Sequence, residues 1–553
     1  MGGHKQAVDE TPFGNRTLNS ALETVVRETP DRIYSWIPKT DNLKDGFRPM
    51  TFQELQNGAS AAAHWLDQQF GKLPQDPSLR QAVAYVGPND LRYLFLVLGA
   101  DRSNRSVLIP FIGWNSSEAL GRLVDSTKSV AVLAPPSHVH VWDPVKSDRP
   151  DLQSKVVPDL DFFHDGKSPY YAYDQDIKEF WNSALYIIHT SGTTGFPKPL
   201  FQTNASISAV DLYGAATAHN LPLEQQHGCL YDWKDRLTMN CMPFTWVLGI
   251  VVGLMAPLFC GTVPVAMPGW VPNPPPFEVI KQIRELMPDI SNTVLIPSVI
   301  RDIWNSEGGP EFITSFDIMC YAGAPLDKAV GDAIVKRTRV QSLMGSTDAG
   351  AYDYYANPDM ADWQWMHFRL DGKWKLEQFS DDLYELVLIK DPDRMQSCFL
   401  MYPDLDVFRT ADLFARHPDP AKKHLWRPAG RADDFVRMQS MTKFNAIEVE
   451  RAIDAHPEIS RCIVDCGGRT APFVILQPAF PGKYDTPADA LNAMWPGIEK
   501  ANEALLPEAK LTKRLAIVTS AEKPLGFTQK GTTERRKGVT AYADEIEELY
   551  KEV

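Results

Sequence analysis

Hydrophobic residues in this chain fall mostly into short runs set between helical patterns. The runs at 81–86, 107–111, 130–133 and 185–188 are bounded by turn-forming or charged residues and read as buried strands. Helical spacing fills much of the chain between them. One helix starts near Asn19. A second opens on Thr51 with Glu54 three residues on, the pattern of a capping box, and runs through 59–66. A third follows the turn Gly87-Pro88-Asn89-Asp90 and continues to Gly99, and a fourth covers 204–216. Strands that alternate with helices predict parallel α/β architecture. The most apolar stretch, VLGIVVGLMAPLFC at 247–260, is too short to span a bilayer and contains Pro257, so it reads as a buried helix. Residues 294–299 read as a strand followed by a loop. Residues 135–180 are rich in Pro and Asp, lack clear periodicity and read mostly as loop.

Composition narrows the classes. A chain of 553 residues has room for roughly two to four domains. With 44% hydrophobic and 23% charged residues it fits a soluble globular protein. A net charge of -14 argues against nucleic acid or an anionic membrane as main partner. Seven cysteines, an odd number, and no signal peptide suit a reducing cytosol, so the expected localisation is cytoplasmic. Cys462 and Cys466 lack His or Cys partners at zinc spacing and read as structural thiols. The opening MGGHKQ is a poor myristoylation match, because position six is Gln6.

The densest chemistry lies in LYIIHTSGTTGFPKPL, residues 185–200. A strand leads into Thr190, Ser191, Gly192, Thr193, Thr194 and Gly195, and Pro197 and Lys198 close the run. Glycines allow close approach of backbone to an anion, and successive amides and hydroxyls can cradle phosphate oxygens while one lysine adds a point charge. The GxxxxGK[ST] spacing of a Walker loop is absent, which excludes a P-loop kinase.

This run resembles the signature loop of the adenylate-forming superfamily, which contains acyl-CoA synthetases, luciferases and the adenylation domains of nonribosomal peptide synthetases. Further motifs carry the resemblance in order. Tyr321, Ala322, Gly323, Ala324, Pro325 and Leu326 resemble the "GGAPL" turn, which lines the acyl pocket and the nucleotide. LMGSTD, from Leu343 through Met344, Gly345, Ser346 and Thr347 to Asp348, resembles "YGxTE", whose threonine contacts phosphate and whose acid binds magnesium. Asp348 is one methylene shorter than the usual Glu, and Met344 replaces the usual adenine-stacking aromatic. LYELVL at 383–388 resembles "GELVI". Arg409-Thr410-Ala411-Asp412 resembles "RTGD", in which the aspartate holds the ribose hydroxyls. Gly430-Arg431-Ala432-Asp433-Asp434 resembles the hinge "GRxDD", with Arg431 on phosphate and Asp433 absorbing the backbone rotation. Lys523 to Gly531 resembles the catalytic-lysine loop and makes Lys530 the electrostatic catalyst.

The resemblance implies an α/β fold with a large N-terminal adenylation core of mixed sheets and packed helices, 1–430, and a small mobile α/β C-terminal domain, 431–553, hinged near 431–434. It also implies ATP and Mg2+ at the site, no side-chain nucleophile, and transfer of the acyl group to coenzyme A or to a carrier-protein phosphopantetheine. "GRADDFV", "KFN" and the tail "KGTTERRKGVTAYADEIEELY" are most similar to fungal synthetase-like carboxylic acid reductases, in which thiolation and reductase domains follow adenylation. Neither a "GGxS" carrier motif nor a dinucleotide GxGxxG occurs in the chain, so those partners are expected downstream and outside it.

Acyl-activating relatives often carry Pro-x-x-His at the carboxylate-pocket wall; this chain has Pro243-Phe244-Thr245-Trp246. The next position often holds Asp in amino-acid activators, where it pairs with the α-ammonium. Here it is Val247, which cannot compensate a buried ammonium. Trp246, Trp233, Trp270 and the tyrosines after Ala351 are candidate aromatic walls. They suit a small aryl acid, or a quaternary-ammonium acid such as glycine betaine through cation–π attraction. A stand-alone acyl-CoA synthetase and a non-catalytic nucleotide-binding module are the rival readings.

Overall fold

The computed structural model describes residues 13–111, 115–164, 166–190, 197–219, 221–228, 230–357, 359–370, 373–380, 382–392, 396–432, 435–439, 443–526 and 533–551. The chain divides into two compact units. The first comprises Met1–Lys375, Val387–Thr410 and His417–Trp426; the second comprises Leu376–Leu386, Ala411–Arg416 and Arg427–Val553. The strands Trp374–Gln378, Leu383–Ile389, Val407–Arg416 and Trp426–Arg431 are each divided between the units.

Two sheets organise the first unit. One has seven strands in the order Arg339–Leu343, Ile318–Ala322, Asn292–Leu295, Leu237–Asn240, Val263–Ala266, Ile33–Pro38 and Phe47–Thr51. All neighbours in it are parallel except the last pair. The other has six strands, Gln153–Val156, Ala131–Ala134, Gln81–Tyr85, Arg105–Leu108, Ala184–Thr190 and Lys198–Thr203, again parallel except for the last pair. Short apolar runs such as Ala131–Ala134 are buried at every position, as strands covered on both faces must be. The helix Phe52–Phe70 begins with the expected box: Thr51 accepts from the Glu54 amide and Glu54 returns a carboxylate to the Thr51 amide.

The apolar stretch forms a buried helical run with an irregular middle: α-helix Val247–Ile250, a π turn Val251–Met255 and α-helix Ala256–Cys260. Pro257 has no N–H to offer the Gly253 carbonyl four residues back. The fully buried Tyr34 hydroxyl donates to that carbonyl instead.

Two expectations are corrected. Residues 135–180 are not mostly loop as far as residue 164: they form a 3-10 helix Pro136–Trp142, helices Asp143–Ser147 and Leu160–His164, and the strand Gln153–Val156. These pieces are too short to display a period, and the strand is a polar, exposed edge without a buried face to announce it. The strand after Ser291 ends at Leu295, and the next segment is a helix, Pro297–Trp304, with proline in its first turn, where a missing N–H costs nothing.

In the second unit, strands Ile459–Asp465, Phe473–Pro478 and Ala516–Val518 form a sheet. Alternation along the first strand sorts the core. Cys462 and Val464 pack with Ile453, Leu476, Met494 and Ile498 on one face. Ile463 packs with Phe473, Leu525, Tyr542 and Ile546 on the other. Burial pushes the Cys462 thiol well above its ordinary value, which suits a structural role. Among the described residues, no helix is long and apolar enough to cross a membrane.

Candidate active site

Three of the motifs leave the seven-stranded sheet at its carboxyl edge, where parallel α/β sheets bind ligands. Ala322 lies opposite Leu343 in adjacent parallel strands, so Gly323 and Met344 emerge side by side. Gly323, at φ +88°, starts the turn that carries Ala324 and Pro325. Met344 leads into the short hairpin in which Gly345–Ser346 pairs with Gly350–Ala351. A side chain at Gly345 would place its Cβ 2.5 Å from the Gly350 carbonyl oxygen, so the hairpin closes only around glycine. Ser346 Oγ accepts from the Ala349 amide at 3.1 Å, and Thr347 and Asp348 sit inside that turn. Tyr352 donates its amide to the Met344 carbonyl at 3.0 Å.

Trp246 follows the third carboxyl end, that of Leu237–Asn240, two strands from Ile318–Ala322 and so about 10 Å across the sheet. It caps the buried helical run without a side-chain cap, and its indole Nε1 is buried with no hydrogen-bond partner among the described residues. Val247, the first helical residue, is partly buried. Tyr321 and Ala322 are buried, with Tyr321 edge-on to Trp363 at 5.9 Å. Of the other candidate aromatics, Trp233 is fully buried and donates to Gln341 Oε1 at 2.8 Å, which makes it core. Trp270 is half exposed and donates to the Asp41 carbonyl.

The six-stranded sheet supplies the flanks of the 190–195 run. Thr190 ends Ala184–Thr190 and lies opposite Lys198, the first residue of the returning strand. Ser191, Gly192, Thr193, Thr194 and Gly195 lie outside the described residues. The returning strand is stitched to the Thr347 and Asp348 turn. Gln202 Nε2 donates to the Thr347 carbonyl at 3.3 Å, and the helix Ser397–Met401 bridges the two. In that bridge Ser397 Oγ donates to the Phe201 carbonyl at 2.8 Å and the Cys398 amide donates to the Asp348 carbonyl at 2.9 Å. Lys198 Nζ donates to the Tyr402 hydroxyl at 3.3 Å. Thr190, Lys198, Thr347 and Asp348 are thus brought into one neighbourhood by backbone pairing and two short bridges.

Sequence reading missed the Ser397–Met401 bridge, which is too short to show a period, and it missed two histidines. His189 Nε2 accepts from the Phe111 amide at 3.0 Å and lies 3.1 Å from Asn115 Nδ2, and burial lowers its pKa to about 4. His227 stacks on Tyr213 at 3.4 Å between centroids and contacts the Tyr352 carbonyl at 3.1 Å through Nε2. Burial, then the nearby Arg369 charge, lowers its pKa to about 3. Both imidazoles are neutral at pH 7. His227 ties the helix Asn204–Ala218, through Tyr352, to Met344. His189 adjoins the 190–195 run in sequence, whereas His227 adjoins none of the motifs.

In the second unit, Arg431 Nη1 pairs with Asp412 Oδ1 at 2.6 Å. Ala411 adopts φ +61°, a left-handed conformation that alanine rarely takes, and its amide donates to Glu385 Oε1 at 3.1 Å. The glycine usual at this place in "RTGD" meets the same backbone requirement without strain. Asp433 and Lys530 lie outside the described residues.

For magnesium, no group of three or more His, Cys, Asp or Glu among the described residues is arranged as a metal cage. Mg2+ is commonly held by one or two carboxylates together with substrate phosphates, and Asp348 fits that donor set.

Similarity to known proteins agrees with this geometry. Residues 22–368 match the family described as AMP-binding enzyme, and residues 433–553 match the AMP-binding enzyme C-terminal domain. A carboxylic acid reductase of Neurospora crassa is 24% identical over 98% of this chain and 51% of its own length. The adenylate-forming reductase Nps10 of Heterobasidion annosum is 24% identical over 98% of this chain and 50% of its own. The chain therefore spans about half the length of these relatives. Among solved structures, ATP-bound MatB from Rhodopseudomonas palustris superposes with a TM-score of 0.71 at 16% identity, covering 96% of this chain and all of that one. A benzoate CoA ligase from Burkholderia xenovorans gives 0.69 at 14% identity, over 94% of this chain and 99% of that one. Both family matches, over most of the chain, show that the chain belongs to the AMP-binding enzyme family and is an ATP-dependent, carboxylate-adenylating ligase.

Proposed function

We propose that this chain activates a small carboxylic acid lacking a primary α-amine and hands the acyl group to a carrier-protein phosphopantetheine, for reduction by a domain outside the chain. The observation that carries the substrate side is the wall after Leu237–Asn240. There the partly buried Trp246 supplies an aromatic face and Val247 an apolar position, and Val247 offers no carboxylate to pair with a primary ammonium. An aryl acid, or a quaternary-ammonium acid such as glycine betaine, suits that wall. The reductase context is supported by relatives named as carboxylic acid reductase and adenylate-forming reductase.

In the first step a carboxylate oxygen attacks the α-phosphorus of ATP. The new O–P bond forms as the bond to pyrophosphate breaks, giving an acyl-adenylate. Two anions must meet, so charge neutralisation carries much of the catalysis. Lys198 and the amides and hydroxyls of the 190–195 run hold phosphate oxygens, with Thr347 beside them. Met344, Gly345 and Ser346, with Gly323, Ala324 and Pro325, border the nucleotide, and Tyr321 and Ala322 border the acid. Asp412 takes the ribose hydroxyls and Arg431 a phosphate. Asp348 would hold Mg2+, which would neutralise phosphate charge when bound. Lys530 bridges carboxylate and α-phosphate, and rotation about Asp433 precedes the second step. In that step the thiol attacks the acyl carbon and AMP leaves, so the acid becomes a thioester.

The test is acid-dependent pyrophosphate release over benzoates, cinnamates, short aliphatic acids, α-amino acids and glycine betaine, followed by offering coenzyme A or a phosphopantetheinylated carrier. Turnover of aryl acids or betaine with transfer to the carrier is the expected result. Preferred turnover of α-amino acids would overturn the Val247 argument, and efficient transfer to free coenzyme A would favour a stand-alone synthetase.

A further inference from the structure

The turn Gly87-Pro88-Asn89-Asp90 has no part in the chemistry described so far, yet it reaches the segment that carries Trp246 and Val247. It follows the strand Gln81–Tyr85 of the six-stranded sheet and leads into the helix Arg92–Arg102. Asn89 Oδ1 accepts the amide of Phe244 at 2.8 Å. A side chain at the end of one sheet thus holds the backbone of a segment that leaves the other. The turn is itself well anchored. The Asp90 amide donates to the Pro88 carbonyl at 2.8 Å, and the Gly87 amide donates to the Tyr93 hydroxyl at 3.1 Å. Arg92 donates to Asp90 through Nε at 3.0 Å and Nη2 at 2.6 Å. Arg92 and Tyr93 are both buried, so the base from which Asn89 reaches out is fixed.

The segment 241–249 depends on its backbone for its place. Thr245 Oγ1 and Trp246 Nε1 are buried with no hydrogen-bond partner among the described residues, so neither side chain fixes the wall by a polar contact. Some backbone ties are internal: the Trp246 amide donates to the Pro243 carbonyl at 3.0 Å, and the Gly249 amide to the Trp246 carbonyl at 3.1 Å. Another reaches back to the preceding strand, where Asn240 Oδ1 accepts the Met242 amide at 3.1 Å. Packing presses the segment onto the helical run. A Cβ on Gly249 would lie 2.0 Å from the Pro243 carbonyl oxygen, and one on Gly253 would lie 2.5 Å from the Phe244 ring. The Asn89 bond adds a tie from outside the segment, two residues before Trp246. Phe244 is buried, and a buried amide left unpaired costs more than its hydrogen bond contributes when made. Without Asn89 the turn gains by shifting until that amide meets another acceptor.

We infer that Asn89 is a positioning residue for the acid pocket: by holding the Phe244 amide it fixes the turn that presents Trp246 and Val247, and so sets how tightly the acid is bound. This rests on the reading of Trp246 as a pocket wall.

The experiment follows acid-dependent pyrophosphate release by the full chain, with benzoate and glycine betaine as the probe acids. Asn89→Ala removes the acceptor, whereas Asn89→Asp keeps an oxygen in the same place. Asn89→Ala should raise the acid KM by about fivefold, with kcat and the KM for ATP within about twofold of the parent. Asn89→Asp should bring the acid KM back to within about twofold of the parent. In the Trp246→Ala background, Asn89→Ala should change the acid KM by less than about twofold, because the wall it acts through is gone. If Asn89→Ala does not fold, Asn89→Ser takes its place with the same expectations, since its hydroxyl sits one bond nearer the backbone. Hydrogen exchange gives a readout independent of activity. Peptides covering 241–250 should exchange faster in Asn89→Ala while those of Gln81–Tyr85 stay protected; loss of protection in both means general unfolding and overturns a positioning role. Where Trp246→Ala raises the acid KM, an acid KM unmoved by Asn89→Ala, an equal rise in the KM for ATP, or no rescue by Asn89→Asp overturns the Asn89 inference alone. An acid KM unmoved by Trp246→Ala, or no turnover of either probe acid, overturns the wall reading and the inference together.

Discussion

Acid should destabilise the first unit through two histidines, and the size of the effect follows from their burial. His227 and His189 have pKa values lowered to about 3 and about 4, against an ordinary value of 6.5. A folded-state value below the unfolded one means that the unfolded chain binds protons first as pH falls. The stability contribution is therefore complete above pH 6.5 and is lost progressively below it. At pH 5.5 each imidazole costs about 1.4 kcal/mol, so the pair removes about 3 kcal/mol relative to pH 7.5 or above. Groups facing His227 do not reverse the sign: Arg369 opposes its protonation, and the Asp353 carboxylate stands 4.0 Å away. The assay is urea unfolding followed by tryptophan fluorescence, since of 14 tryptophans only Trp495 lies in the second unit. Phenylalanine can keep the stack on Tyr213, so His227→Phe should lower stability by about 1 kcal/mol at neutral pH through the lost Tyr352 contact. It should also remove about half of the acid-dependent loss contributed by the two histidines. Glu450, with its raised pKa, acts oppositely in the second unit: between about 4.5 and about 7 its contribution grows as pH falls. A variant whose pH dependence runs parallel to the parent's would refute the assignment of the acid loss to His227.

Three further outcomes follow from specific contacts. Asp211 is fully buried and accepts from the Gly14 amide at 2.6 Å and from Arg16 Nε at 2.9 Å. Asp211→Ala should therefore cost about 3–5 kcal/mol in calorimetry by stranding a guanidinium, and a cost below 1 kcal/mol would show the Asp211 contacts with Gly14 and Arg16 to be dispensable. Trp246→Ala should raise the acid KM by about tenfold, the equivalent of one desolvated aromatic contact, with Trp246→Phe recovering part of it; unchanged kcat and KM would remove Trp246 from the pocket. Asp412→Asn should raise KM for ATP by about tenfold or more, because charged hydrogen bonds to ribose are weakened, and an unaltered KM would detach Asp412 from the nucleotide.

Much of this molecule was legible because local chemistry and fold agree. The Thr51–Glu54 box announces its helix, the 185–188 run announces its strand, and "LMGSTD" announces a turn whose Gly345 proves sterically obligatory. Pieces of about five residues were not legible. Gln153–Val156 and Ser397–Met401 are held by their neighbours in space, and their own patterns carry no period. The site was legible as a list of motifs, while its stitching was not. The Gln202–Thr347, Cys398–Asp348 and His227–Tyr352 contacts join residues more than forty positions apart through backbone carbonyls, which any residue possesses. The π turn is a further case. Pro257 is visible in sequence, but the Tyr34 hydroxyl that serves the Gly253 carbonyl comes from a strand more than 200 residues earlier.

The account stands most directly on acid-dependent exchange of labelled pyrophosphate into ATP, measured on the parent chain beside Lys530→Ala with the aryl, betaine and amino-acid panel. Exchange that requires an acid without a primary α-amine, and that falls by about 100-fold or more without the Lys530 charge, is the predicted result. Exchange that proceeds equally well without Lys530, or that no acid elicits although ATP binds, would contradict the account.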